Sequence, residues 1–162
     1  MKMRHPQGFI DWLPQKNKAP KKVTFYLPSK EGAGAETMPP ERRQSLIDGV
    51  MRYLLLELKG ATHVQGTGYF VDEATMHVHK EDVTLCYSFC QDLSTDRLKE
   101  INEMANGLAI EFNQLSIAVE VDNVMYLFQP TQVYRDVYAA QKKKGRHIGW
   151  LKHFSAGALK EA

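Results

Sequence analysis

Apolar and polar positions along this chain repeat with two different periods, and the switches between them mark its elements. Val23-Thr24-Phe25-Tyr26-Leu27 is a short run of β-branched and aromatic residues closed by Pro28, which predicts a first strand. Ile47, Val50, Met51, Leu54, Leu55 and Leu58 then recur at helical spacing, predicting a helix with one buried face. Pro39 and Pro40 suit its first turn, Thr37 or Met38 lies in the cap region, and Gly60 ends it. Residues 62–71 and 77–90 read as a hairpin joined by Asp72-Glu73-Ala74-Thr75. In its second arm Val83, Leu85, Tyr87 and Phe89 alternate with polar or small residues, so one face is expected to be buried and the other wetter.

Ser94 or Thr95 caps a second helix, with Asp96 in the first turn and Leu98, Ile101, Met104, Ala105, Leu108 and Phe112 along its apolar side. Ile117, Val119 and Val121 form a strand, and Asp122-Asn123 is a two-residue turn into Val124 to Phe128. Pro130 stops the sheet. Thr131 opens a third helix with Val133, Tyr134, Val137 and Tyr138 on one side, Lys142, Lys143 and Lys144 at its C-terminal end, and Gly145 closing it. The order β-α-β-β-α-β implies an α+β fold of the ferredoxin-like, split βαβ type: an antiparallel sheet with two helices on one face, plus an extra C-terminal strand and helix. Three segments follow: a basic N-terminal arm at 1–22, the α+β domain at 23–130, and a C-terminal helix with a basic, aromatic arm at 131–162.

Composition changes this picture little, with 43% hydrophobic and 25% charged residues pointing to an ordinary globular domain. No apolar run is long enough to span a membrane. Lys2 and Arg4 begin like a signal peptide, but Asp11 and Pro14 interrupt the apolar stretch that should follow. Cys86 and Cys90, four apart on one strand, face the same side too far apart for a disulfide, so two buried, reduced thiols in a cytoplasmic protein are expected. Charge is more informative. The net +2 divides into +5 over residues 1–22, −8 over 23–134 and +5 over 135–162. An acidic body with two basic arms suits phosphate backbones, arms docking on the acidic body of another copy, or plain solvation.

The stretch from Gly60 to Tyr69, reading Gly60-Ala61-Thr62-His63-Val64-Gln65-Gly66-Thr67-Gly68-Tyr69, together with Phe112-Asn113-Gln114-Leu115-Ser116-Ile117-Ala118-Val119, resembles small uncharacterised bacterial proteins of ferredoxin-like type. The resemblance covers about residues 23–128 and implies a fold, not an activity. A shorter likeness is chemically sharper. His77-Val78-His79 matches the His-hydrophobe-His signature of HUH nickases, and Tyr138-Ala139-Ala140-Gln141-Lys142 matches their Tyr-x-x-x-Lys pattern. His63-Val64-Gln65 is similar to the His-hydrophobe-Gln variant of some replication initiators. This resemblance implies His77 and His79 holding Mg²⁺ or Mn²⁺ against a scissile phosphate, Tyr138 as nucleophile and Lys142 stabilising the developing charge. The duller reading is a hairpin tip with two exposed histidines, Tyr134 and Tyr138 as a packing ridge, and Asp72, Glu73, Glu81 and Asp82 as a solvated acidic turn.

The C-terminal arm carries the functional expectation. Lys142, Lys143, Lys144, Arg146 and Lys152 are interleaved with Trp150 and Phe154, cations for phosphates beside rings that stack on bases. The sequence therefore points to a non-enzymatic binding protein gripping nucleic acid or a nucleoprotein partner and needing no cofactor. A self-assembling or protein-partner subunit, forming a homo-oligomer, is the first alternative, and a metal-dependent nickase the second.

Overall fold

The computed structural model describes residues 18–30 and 38–144. Its elements are β1 (Lys21–Pro28), α1 (Pro40–Leu58), β2 (Thr62–Asp72), β3 (His77–Cys90), α2 (Thr95–Glu111), β4 (Ile117–Val121), β5 (Val124–Phe128) and α3 (Gln132–Lys143). The five strands form one antiparallel sheet in the order β2-β3-β1-β4-β5. The first four strands have the arrangement of a ferredoxin-like plait; β5 extends it through a hairpin, and α3 follows. This is the α+β architecture expected from the alternation of periods.

Local chemistry fixes each boundary. The Ser94 hydroxyl accepts from the Arg97 amide and that of Thr131 from the Tyr134 amide, so both helices begin on side-chain caps. α1 starts on Pro39 and Pro40 without such a cap, and it ends on Lys59, not Gly60, in the left-handed conformation (φ 72°). Past the end of α2, Asn113 is left-handed and the Gln114 amide reaches back to the Ala109 carbonyl, a Schellman closure. Asp122 and Asn123, both at positive φ (51° and 68°), make the tight turn that the twist of a two-residue hairpin requires.

One face of the sheet holds the core. Val23, Phe25, Leu27, Cys86, Cys90, Ile117 and Val119 are buried with Ile47, Val50, Tyr53, Leu54 and Leu58 of α1 and Ile101, Met104, Ala105 and Leu108 of α2. The expected stripes are adjusted at their edges. Leu55 and Leu98 are exposed, and Leu46 and Tyr53 take up the buried face of α1. The Tyr53 hydroxyl donates to Glu100, and Arg97 bridges Glu57 and Glu100, joining the two helices at the rim of the core.

On β3 the polarity is inverted relative to its hydropathy. Thr84, Cys86, Ser88 and Cys90 point into the helix-covered face, because each pairs with a core residue of β1 or continues its alternation. Val83, Leu85 and Tyr87 stand half-buried on the other face and Phe89 is 53% exposed there. Val64, Phe70, Met125 and Leu127 share that face by register and are exposed. The apolar alternation marks an open sheet surface, and the small and polar set is what lets the helices approach closely.

Candidate functional site

Where β1 runs out beside the start of α1, a cavity of about 430 Å³ opens between these elements and β3. Met38, Pro40 and Ile47 give it apolar wall; Ser29, Lys30, Arg43, Gln44, Lys80, Glu81 and Asp82 give it polar groups. A volume of this size accommodates a small molecule. Because side chains alternate along β3, Lys80 and Asp82 lie on the helix side with Thr84, and Glu81 projects to the other.

Arg43 anchors the wall. Its Nε donates to the Pro28 carbonyl at 3.4 Å and one terminal nitrogen donates to the Thr84 hydroxyl at 2.8 Å. The hydroxyl of Thr84, fully buried, donates in turn to the side-chain amide oxygen of Gln65 at 3.0 Å. The Arg43 guanidinium is thus held at the cavity by a polar chain running across four elements, β1, α1, β3 and β2. The sequence singled out none of these residues for a site. The retrospective signal is a polar residue, Thr84, at a core-facing strand position with an arginine at the start of the helix above it.

A second cluster gathers on the far side of α2. Glu111, nearly buried, accepts from the Tyr138 hydroxyl at 2.7 Å and from Lys142 Nζ at 2.6 Å through the same oxygen. Its other oxygen lies 3.7 Å from Arg42, which also donates to the Glu111 carbonyl. Burial, reinforced by the hydrogen bond to Glu111, pushes the Tyr138 hydroxyl far above the usual tyrosine range. Tyr134 stacks on Tyr138 at 6.3 Å between ring centres and donates to the Glu103 carbonyl. The pair is a packing ridge, while Val133 and Val137 face solvent.

His77 and His79 lie elsewhere. They project from β3 on the open face near the β2–β3 turn, their rings 4.8 Å apart and edge-on, with Phe70 of β2 stacked on His79 at 4.7 Å. His63, paired with Cys86, faces the opposite side of the sheet. Asp72 caps the turn by accepting from the Ala74 amide, which with the Thr75 hydrogen bond holds its carboxyl below the usual carboxylate range. Among the described residues no three His, Cys, Asp or Glu side chains converge on a common point.

The structure therefore unites Tyr138 with Lys142 but not with the histidines. The tyrosine is in α3, held against α2; the histidines are on β3, at the turn of its hairpin with β2, the edge strand opposite β5. Lys142 is engaged by Glu111, whereas Lys143 and Lys144 are exposed. Arg146, Trp150, Lys152, Phe154 and Gly145, like residues 1–17 of the N-terminal arm, lie outside the described residues. Among the described residues no helix is long and apolar enough to cross a membrane.

An open-faced antiparallel plait with a cavity at its β1–α1 corner is the class that this fold defines. Two solved structures are similar to this chain in fold: a phage SAM lyase in complex with S-methyl-5'-thioadenosine (TM-score 0.51, 14% identity, covering 69% of this chain and 91% of that one) and a phage SAM lyase in the apo state (TM-score 0.51, 14% identity, 73% and 96%). No protein-family model and no curated protein matches the chain. The likeness corrects the expectation of a non-enzymatic binding protein. The plait on which that expectation rested as a passive scaffold is a fold that an enzyme uses, and one of its supposed phosphate contacts, Lys142, is committed to Glu111.

Proposed function

We propose that this protein is a lyase acting on SAM or a closely similar sulfonium nucleoside, with the β1–α1 cavity as its substrate site. The observation that carries the reading is the cavity itself: about 430 Å³, with cations from Lys30, Arg43 and Lys80, the Asp82 carboxylate and an apolar wall, in a fold like that of the phage SAM lyase. The substrate has matching parts: a carboxylate, two cationic centres and a nucleoside. Arg43 is fixed by its two protein hydrogen bonds, so it meets the substrate carboxylate without an ordering cost.

In the cleavage, sulfur keeps the electron pair of the broken carbon–sulfur bond and becomes the neutral thioether of S-methyl-5'-thioadenosine. The four-carbon fragment makes good the deficit internally, by ring closure or proton loss, because a lyase uses no water. Positive charge on sulfur is lost on the way. A site for this reaction gains more from positioning the amino-acid end than from gripping the sulfonium, which only ground-state binding would reward.

The test is incubation of the full chain with SAM, followed by chromatography for S-methyl-5'-thioadenosine. Product formation that drops by roughly tenfold or more in Arg43→Lys and Asp82→Asn supports the assignment. No product above the uncatalysed rate, and no SAM-dependent rise in thermal transition, would overturn it.

The open sheet face supports self-association of a cytoplasmic homo-oligomer as part of the same reading. It presents exposed Phe89, Met125 and Leu127 around Lys22 and Glu120, charges of both signs that suit a self-complementary contact. A sedimentation mass equal to one 18.5 kDa chain at micromolar concentration would count against it.

A further inference from the structure

Gln65, on the edge strand β2, reaches the cavity through two other side chains. It stands directly opposite Thr84 across the β2–β3 pair, and the Thr84 hydroxyl donates to its side-chain oxygen at 3.0 Å. Thr84 in turn accepts from Arg43 at 2.8 Å. Direction is fixed along this line. A guanidinium only donates, so the Thr84 oxygen accepts from it, and the hydroxyl proton is left for an acceptor, which Gln65 supplies. Packing alone does not account for Thr84. It is fully buried and pairs with the core residue Leu27 of β1, a place where valine has the same shape and no hydroxyl to satisfy. Arg43 stands in the first turn of α1, where the helix dipole disfavours a cation. Its place therefore depends on Thr84 and on the Pro28 carbonyl, which its Nε meets at a long 3.4 Å. These bonds use Nε and Nη2, one edge of the planar fork. The other edge, which includes Nη1, has no partner among the described residues, and it is an edge that takes a carboxylate through two parallel hydrogen bonds.

We propose that Gln65 is a positioning residue for this site: through Thr84 it holds Arg43 with its free edge to the cavity, and so makes the site selective for a sulfonium nucleoside that carries a carboxylate. The inference rests on the lyase reading and deepens it by naming the part of the substrate that is selected. Without the Gln65 oxygen the Thr84 hydroxyl is free to turn, its lone pair is no longer held towards Arg43, and the guanidinium loses the stronger of its two anchors. Gln65 is exposed at the sheet edge, so water can replace its oxygen but does not hold a direction. The loss therefore falls on the orientation of Arg43 more than on the stability of the fold. A ligand without a carboxylate makes no use of that edge and is indifferent to Gln65.

The experiment uses the full chain as wild type, Gln65→Leu and Gln65→Glu, the last keeping an acceptor oxygen at the same reach. Initial rates with SAM give kcat/KM, and decarboxylated SAM, which lacks only the carboxylate, gives an inhibition constant. The expected result is a kcat/KM for SAM lowered roughly three- to tenfold in Gln65→Leu and largely restored in Gln65→Glu, with the inhibition constant of decarboxylated SAM within about twofold in all three. A second readout needs no substrate: rotation of the Arg43 terminal nitrogens, followed by NMR in the ligand-free chain, should be slow in the wild type and in Gln65→Glu and faster in Gln65→Leu. An unchanged kcat/KM in Gln65→Leu would overturn the inference and leave the lyase reading standing. So would an equal loss of affinity for decarboxylated SAM, the mark of general damage to the site. Unchanged Arg43 rotation would overturn the positioning role whatever the activity, and a wild type that cleaves no SAM would overturn the lyase reading and this role with it.

Discussion

The Tyr138 hydroxyl donates to Glu111 at 2.7 Å, and through this bond α3 is fastened to α2. Lys142 closes on the same carboxylate oxygen. Two residues that read as a catalytic pair at helical spacing therefore act together as a clasp whose target is a carboxylate. Tyr138→Phe should cost about 1–3 kcal/mol, because a nearly buried carboxylate loses one of its donors. Chemical denaturation measures it; a stability equal to wild type would show that the clasp contributes nothing.

Arg43→Leu is expected to destabilise by about 1–3 kcal/mol, since it strips the Pro28 carbonyl and the fully buried Thr84 hydroxyl of a donor. The double variant with Thr84→Val should lose less than the sum of the two single variants, because each single change breaks the same Arg43–Thr84 bond. A double-mutant cycle by urea unfolding gives the coupling, and additivity of the two losses would refute the pairing.

Lys59 occupies the left-handed position that ends α1, a conformation costing a residue with a Cβ about 1–2 kcal/mol. Lys59→Gly should raise stability by roughly 0.5–1 kcal/mol, the remainder being offset by the greater freedom of glycine in the unfolded chain. A lowered melting temperature would contradict this account.

Alkaline conditions should weaken the fold in a defined window. Burial pushes the Cys86 thiol up to about 12 from an ordinary value of 9.0. Below pH 9 the thiol is protonated in both states and its stabilising contribution is complete. Above pH 9 the unfolded chain ionises first, so stability declines as pH rises towards 12, by roughly 1.4 kcal/mol per pH unit from this group. Cys86→Ala should lower the slope between pH 9 and 10, leaving the part that Cys90, its thiol also pushed up by burial, adds in the same window; an unchanged slope in a pH series of urea melts would exclude Cys86 as a source.

Much of the fold was legible because its signals are local. The Ser94 and Thr131 caps, the Asp122-Asn123 turn and both hairpins follow from a few adjacent residues. The errors have one cause. Hydropathy alternation along β3 says that two faces differ, but not which one the helices cover. Pairing of Phe25 with Cys86 and Leu27 with Thr84 decides that, and such register is long-range. For the same reason the cavity was invisible: Arg43 and Thr84 are 41 positions apart, and neither stands in a motif. The histidine and tyrosine patterns were visible, but spacing within each segment carries no information about the part of the sheet to which that segment is delivered.

β1 lies between β3 and β4, and the strands outside it belong to two hairpins, β2–β3 and β4–β5, each closed by its own short turn. Within the sheet, the hairpins are joined only through this eight-residue strand from the start of the described chain. Each hairpin can zip up from its turn, but β1 must find partners about 60 and 95 residues away before the core closes, which makes its docking the slow event of folding. The same arrangement makes β1 the point of mechanical failure. Tension applied to the start of the chain peels away the strand that bridges the hairpins, and the sheet comes apart as two separate ribbons.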